Sequence, residues 1–240
     1  MIKWLYRNVD MVMVSAEDAA SQFREIFDFG NKVTVGRYAS DLDNYFLHPI
    51  RKAKAGLTLI FANRLTYIYQ PLLAIEIFFE VLKRYPSTML ILNADGELRN
   101  ECEALIVKLG LQNRIQFLDN IKAWDDLPKI YEKSDVLILP AKFSNGNFTI
   151  LEAMASGMGI VISDQVLGIG KMINDGINGF VTGPTVLDFA NKICNFYLDE
   201  RLFEKFGTVN KEIVRPYGME GTAKFFYEII KEKLNIEQLD

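Results

Sequence analysis

Only two of the 240 residues are cysteine and only one is histidine. Cys102 and Cys194 stand far apart with no partner at metal-ligand or redox spacing, and His48 has neither Cys nor His near it. These scarcities exclude a disulfide-built fold and a Cys/His metal centre, and leave two reduced, helix-borne thiols of a cytosolic chain. Basic charge is not in excess either. With a formal net charge of −4 and no basic stripe, nucleic acid is not an expected partner. The short cluster Arg51, Lys52 and Lys54 reads as a solvated linker, and His48 within it as a surface residue. No apolar run reaches about 18 residues and no signal-type h-region opens the chain, so neither a membrane span nor a leader is expected. Proline and glycine are modest in number, at 7 and 16, which argues against wholesale disorder.

What is present is apolar: half the residues are hydrophobic and 24% are charged. That supports one large or two small domains with an ample core. Short aliphatic runs alternate with helical patterns throughout. VDMVMVSA and NKVTVGRY read as strands around a helix from Glu17 to Phe27, and a polar linker follows from Ala39 to Ala55. The opening MIKWLYRNVD reads as the middle of a domain. A new cycle starts with LTLIFAN, then a helix carrying Leu72, Ile75, Phe79 and Leu82 at 3.6-residue spacing behind Pro71. Strands TMLILN, RIQFL, DVLILP, GIVIS and GFVT follow. Helices are expected over Leu98 to Leu109, Trp124 to Glu132 and Thr149 to Ser156, near Lys171, and from about Val186, Leu202 and Glu220. Continuous apolar strands, each followed by a helix, define an α/β fold with a doubly wound, Rossmann-like parallel sheet.

Ligands of such sheets bind beyond the carboxyl ends of the strands. Three polar stretches occupy that edge: ANRLTYIYQP, NADGEL and AKFSNGNFT. The last runs into FSNGNFTILEAMASG, a loop entering a helix that carries one acid, Glu152. Arg64 and Glu152 would face a shared cleft, the guanidinium suited to phosphate and the carboxylate to a diol.

LEAMASG with GIVIS and INDGINGFVT, IFANRL with TMLILNADGEL, and RIQFLDNI…DLPKIYEKSDVLILPAKFS follow one another in an order that resembles the donor-binding half of the large group 1 family of retaining GT-B glycosyltransferases. The resemblance implies a nucleotide-sugar site. Arg64 matches the family's diphosphate-binding Arg, but the accompanying Lys is Tyr69 here. In the family's EX7E motif the second Glu, on the nucleotide ribose, is Glu152, and the first is replaced by Ser144. Asn145, Gly146, Asn147, Phe148 and Thr149 match the stretch whose backbone amides meet phosphate and sugar oxygens, and Gly146 permits close approach. Two further positions depart from the family: its Pro is Gly159 and a frequent Glu is Lys171. Losing one of two phosphate cations removes about 1.5–3 kcal/mol, roughly ten- to a hundredfold in affinity. Lys142 is a candidate replacement charge.

By this resemblance residues 1–50 are a remnant of the acceptor domain and linker, 51–215 the nucleotide-sugar domain, and 216–240 a helix packing back toward the N-terminal part. The implied activity is hexose transfer with retention, with Arg64 and Ser144 at the reacting centre. The acceptor would be a glycan or lipid-linked molecule, in cell-surface polysaccharide synthesis in the cytoplasm or at the inner membrane face. A nucleotide sugar is expected as substrate, with no cofactor, no metal at Asp41-Leu42-Asp43, and at most peripheral membrane contact. Two other readings stand beside it: a non-catalytic donor-domain module, or half of a split transferase whose partner chain supplies the acceptor domain.

Overall fold

The structure is a computed structural model that describes residues 8–27, 29–119, 126–144 and 147–234. The chain divides into two compact units, Met1–Asp41 with Arg215–Asp240, and Leu42–Val214. The first begins with β1 (Val12–Val14), α1 (Glu17–Phe27) and β2 (Val33–Val35), and β1 and β2 pair in parallel with Val12 opposite Val33. Ala20, Phe29 and Val33 form its small apolar core.

The second unit holds α2 (Asp43–Phe46), β3 (Thr58–Phe61), α3 (Pro71–Arg84), β4 (Met89–Leu92), α4 (Arg99–Leu109) and β5 (Ile115–Phe117). It continues with α5 (Leu127–Lys133), β6 (Val136–Leu139), α6 (Phe148–Ala155), β7 (Gly159–Ser163), β8 (Phe180–Thr182), α7 (Val186–Leu198) and α8 (Arg201–Val214). The last helix, α9 (Met219–Leu234), belongs to the first unit. No helix among the described residues is long and apolar enough to cross a membrane.

All six strands of the main sheet are parallel, in the order β5-β4-β3-β6-β7-β8. VLIL of β6 and GIVIS of β7 are buried at every position, which is what a strand covered on both faces demands. From β3 the chain winds outward through β4 and β5, then returns beside β3 as β6 and winds the other way. The loops after β3 and β6 therefore part from each other at the sheet's carboxyl edge. That divergence is a crevice by topology alone.

Two residues placed at the surface by their charge are buried instead. Arg51 is only 7% exposed and donates to three backbone carbonyls, those of Ser134 at 2.7 Å, Tyr131 at 2.6 Å and Pro49 at 2.6 Å. His48 is also only 7% exposed, with Nδ1 3.1 Å from Ser156 Oγ. Burial, then the Arg51 charge, lowers its pKa below 6.5. The stretch read as a solvated linker is thus bolted to the sheet domain at its histidine and first basic residue. Lys54 adds an ion pair to the buried Asp135 at 2.8 Å. Both cysteines are free and buried, and burial pushes the Cys102 thiol up to about 12. They are packing residues, not nucleophiles.

Candidate nucleotide-sugar site

The crevice is built from the loops that follow β3 and β6. Gln70, just before α3, adopts a left-handed conformation with φ of 56°, held by its side-chain bond to the Pro140 carbonyl at 2.8 Å. The Lys142 N–H donates to the Ile68 carbonyl at 2.8 Å. A non-glycine residue in this region carries strain of order 1–3 kcal/mol, and here it sits at the edge where a ligand would bind.

A buried amide network pins the same two loops from below. Asn63, in the loop just after β3, donates to Asn147 Oδ1 at 3.2 Å, and Asn147 donates to Ser144 Oγ at 3.1 Å. The Thr149 hydroxyl donates to Asn63 Oδ1 at 3.3 Å and to Asn147 Oδ1. Asn63, Asn147 and Ser144 are all buried. Asn147 is the N-cap of α6, yet its side chain makes no cap bond and is turned into this network. Asn63 was invisible to motif reading as a site residue; its position directly before Arg64 is the one signal that could have marked it.

Ser144 is therefore part of the scaffold. It forms a β-bridge with Val166, its carbonyl accepts from the Leu167 N–H at 2.7 Å, and its hydroxyl faces Asn147. Tyr69, at the position of the family Lys, packs against the core, with its N–H bonded to the Thr66 carbonyl at 3.1 Å. Phe148 is exposed and Thr149 partly so, whereas Asn145 and Gly146 lie outside the described residues.

Arg64 extends from the β3 loop with its side chain 66% exposed and Nε 3.0 Å from Asp95 Oδ2 on the loop after β4. Those two loops are laced together by Leu65 N–H to Asp95 O at 2.7 Å and Leu98 N–H to Leu65 O at 2.9 Å. Glu152 stands one turn into α6. Phe148, Thr149 and Glu152 are the positions of this helix that are not fully buried, so they form one open stripe at spacings of one, three and four. The helix ends in a Schellman turn, with Met158 N–H bonded to Ala153 O and Gly157 N–H to Met154 O, both at 3.1 Å. Gly157 takes the left-handed φ of 65° that this turn requires, which is the physical content of the ending in LEAMASG.

Although Glu152 is partly exposed as a residue, its carboxylate is packed deeply enough for burial to raise its pKa, against the opposing pull of the Tyr131 and Tyr45 hydroxyls. Tyr131 is fully buried, and burial first, then the Glu152 charge, drives the pKa of its hydroxyl well above 10. Because the folded-state pKa of Glu152 exceeds its ordinary value near 4.5, its contribution to stability is fully present below that value and is lost as pH rises through the folded pKa. Glu152→Gln is accordingly expected to melt above the wild type at neutral pH, with the gap closing as pH falls below about 4.5. Melting curves across pH check this, and a variant no more stable at pH 7 would contradict it. A group kept at a cost to stability is what a binding site looks like in thermodynamic terms. Among the described residues, no group of three His, Cys, Asp or Glu side chains could hold a metal ion.

Fold and site together define a doubly wound α/β domain of the GT-B type, with its open edge furnished by one exposed arginine and one half-buried glutamate. The family model described as Glycosyl transferases group 1 matches residues 48–212, and the chain belongs to that family. An uncharacterized glycosyltransferase of Methanocaldococcus jannaschii is 26% identical over 72% of this chain and 44% of its own length. The poly(glycerol-phosphate) alpha-glucosyltransferase of Bacillus subtilis is 24% identical over 96% of this chain and 34% of its own. The chain thus spans about half or less of the length of these relatives. Among solved structures, a glycosyltransferase from Rickettsia africae superposes with a TM-score of 0.80 at 21% identity, covering 98% of this chain and 68% of that one. The pneumococcal O-GlcNAc transferase GtfA, in complex with UDP and GlcNAc, gives 0.79 at 20% identity over 97% and 47%. At these identities the structural likeness speaks for the fold.

Proposed function

We propose that the crevice binds a nucleoside-diphosphate sugar and that the protein serves hexose transfer, with retention, to a glycan or lipid-linked acceptor in cell-surface polysaccharide synthesis. The observation that carries the reading is the placing of Arg64 on the loop after β3 and of Glu152 on the helix entered from the loop after β6, the two connections that diverge at the switch point of a group 1 family sheet. Arg64 takes the diphosphate. Its present partner is an exposed ion pair with Asp95, worth roughly 0–1 kcal/mol, so exchange for a phosphate making charge-assisted bonds of about 1.5–3 kcal/mol is downhill. Glu152 takes the ribose diol, and the stretch from 145 to 149, which includes the first residues of α6, meets phosphate and sugar oxygens. Ser144 shapes this loop from beneath, through Asn147. The donor is a substrate, and neither metal nor cofactor enters the reading. Residues 51–215 form the donor domain in this account, flanked by an acceptor-side remnant at 1–50 and the returning helix at 216–240, with the work done in the cytoplasm or at the inner membrane face.

Support for the retaining glycan reading comes from relatives such as the Bacillus subtilis alpha-glucosyltransferase and from the pneumococcal enzyme solved with UDP and GlcNAc. A second reading, a binding module or half of a split transferase, is favoured by one observation. The two charges missing from the family pattern are replaced by Tyr69 and Ser144, which are occupied in packing and in the loop network. Incubation with α-linked nucleotide sugars, read by NMR for the anomer of the released or transferred hexose, separates the two. An α product supports retention, a β product overturns it, and nucleotide binding without turnover favours the module.

A further inference from the structure

Arg64 is placed by its neighbours in the chain rather than by its own side chain, which is exposed and pairs with the exposed Asp95. On both sides of it the backbone is tied to the loop after β4. The Ala62 carbonyl accepts from Asn93 Nδ2 at 2.8 Å, and the Leu65 N–H donates to the Asp95 carbonyl at 2.7 Å. Asn63 is tied the other way, beneath the crevice, to the start of α6. Its buried side chain donates through Nδ2 to Asn147 Oδ1 at 3.2 Å and accepts at Oδ1 from the Thr149 hydroxyl at 3.3 Å. An amide that donates at one end and accepts at the other fixes a tilt as well as a separation. Pulling the two loops apart would leave these buried polar groups without partners, so the arrangement resists it. The same bonds keep the Asn147 side chain out of the cap, so it does not compete for the first amides of α6.

A diphosphate held by a guanidinium from one loop and by the start of a helix on another needs both at one separation. Groups already held at that separation bind at smaller entropic cost than groups ordered on binding. We propose that Asn63 is a positioning residue: through Asn147 and Thr149 its amide sets the Arg64 backbone against the start of α6, so that both meet the diphosphate of a nucleotide together. The inference rests on the nucleotide reading given above and goes beyond it, by assigning the geometry of the phosphate clamp to a buried side chain that acts through its neighbours.

The test is a double-mutant cycle on the full chain, with UDP, GDP and ADP titrated by calorimetry into the wild type, Asn63→Ala, Arg64→Ala and the double variant. Melting curves establish that each is folded. For the diphosphate that binds best, Asn63→Ala should weaken binding about tenfold in the wild-type background. With Arg64 already alanine the same change should cost about twofold or less, because there is no guanidinium left to place. The matching nucleoside, followed by NMR titration, should lose about twofold or less. Equal losses of nucleoside and diphosphate, or equal losses in both backgrounds, would show a merely structural role and overturn the proposal. Unchanged diphosphate affinity in Asn63→Ala would overturn it as well. Should Asn63→Ala fail to fold, Thr149→Val keeps the side-chain volume, removes the hydroxyl that bonds Asn63, and meets the same two comparisons. If the wild type binds none of the three, or Arg64→Ala binds as the wild type does, the nucleotide reading falls and takes the inference with it. Binding through Arg64 without coupling to Asn63 overturns the inference alone.

Discussion

Replacing Gly96 by alanine is expected to destabilise the protein by about 3 kcal/mol or more and to weaken nucleotide binding by whatever fraction still folds. Gly96 has φ of 145°, and a Cβ there would lie 2.4 to 2.6 Å from the backbone O, N and C of Leu65. Backbone on both sides leaves no flexible side chain to give way. The loops after β3 and β4 would have to separate, breaking the Leu65-to-Asp95 and Leu98-to-Leu65 bonds that hold them. Arg64 sits directly before Leu65 and pairs with Asp95 directly before Gly96, so the phosphate-side geometry moves with the clash. Urea unfolding reports the first effect and nucleoside-diphosphate calorimetry the second. A variant with wild-type midpoint and affinity would show that the two loops do not need this close approach.

Arg51→Ala should be about as damaging, roughly 3–5 kcal/mol, by a different route. Three backbone carbonyls, from Tyr131, Ser134 and Pro49, would lose their donor, and two of those bonds are buried. Burial lowers the pKa of this guanidinium, with the charges of Asp135 and Glu132 opposing, so its place in the interior depends on these acceptors and acids together. Arg51→Lys retains the charge but cannot span three carbonyls with a planar fork, and should fall between alanine and wild type. Thermal melting of the three proteins tests the order. For a chain of this size each kcal/mol corresponds to about 2–4 °C. Equal melting of lysine and arginine forms would mean that charge alone suffices.

The main sheet was legible because its strands are predominantly apolar runs bounded by helical spacing, a signal contained within ten residues. VLIL and GIVIS could hardly be anything but central strands. The boundaries were less secure: Val9 to Ala16 reads as strand, yet only Val12–Val14 pairs, because pairing depends on how far β2 runs alongside. The expected helix from Trp124 is seen from Leu127, with Trp124 outside the described residues. Arg51 and His48 were misread for one shared reason. Their partners at Ser134, Tyr131 and Ser156 lie 80 to 108 positions away in sequence, and local composition carries no trace of a carbonyl waiting at that distance.

At the site the same division holds. Glu152 and Arg64 were marked by motif and by strand ends, both local features. The use of Ser144 and Asn147 was not, because a polar side chain in a loop reads alike whether it faces a ligand or a neighbouring amide. Here Ser144 and Asn147 are turned to each other, and Asn147 to Asn63. Nor could spacing show that Tyr45 and Tyr131, from two different elements, meet edge to face in the interior, since both look in sequence like ordinary core aromatics.

This edge of the sheet is proposed to hold a nucleoside diphosphate between Arg64 and Glu152. Calorimetric titration of the full chain with UDP, GDP and ADP tests it most directly, beside Arg64→Ala and Glu152→Ala variants shown to be folded. Saturable binding of at least one of the three is expected, weakened about tenfold or more by either substitution. No binding of any of them at millimolar concentration, or binding that neither variant disturbs, would contradict it.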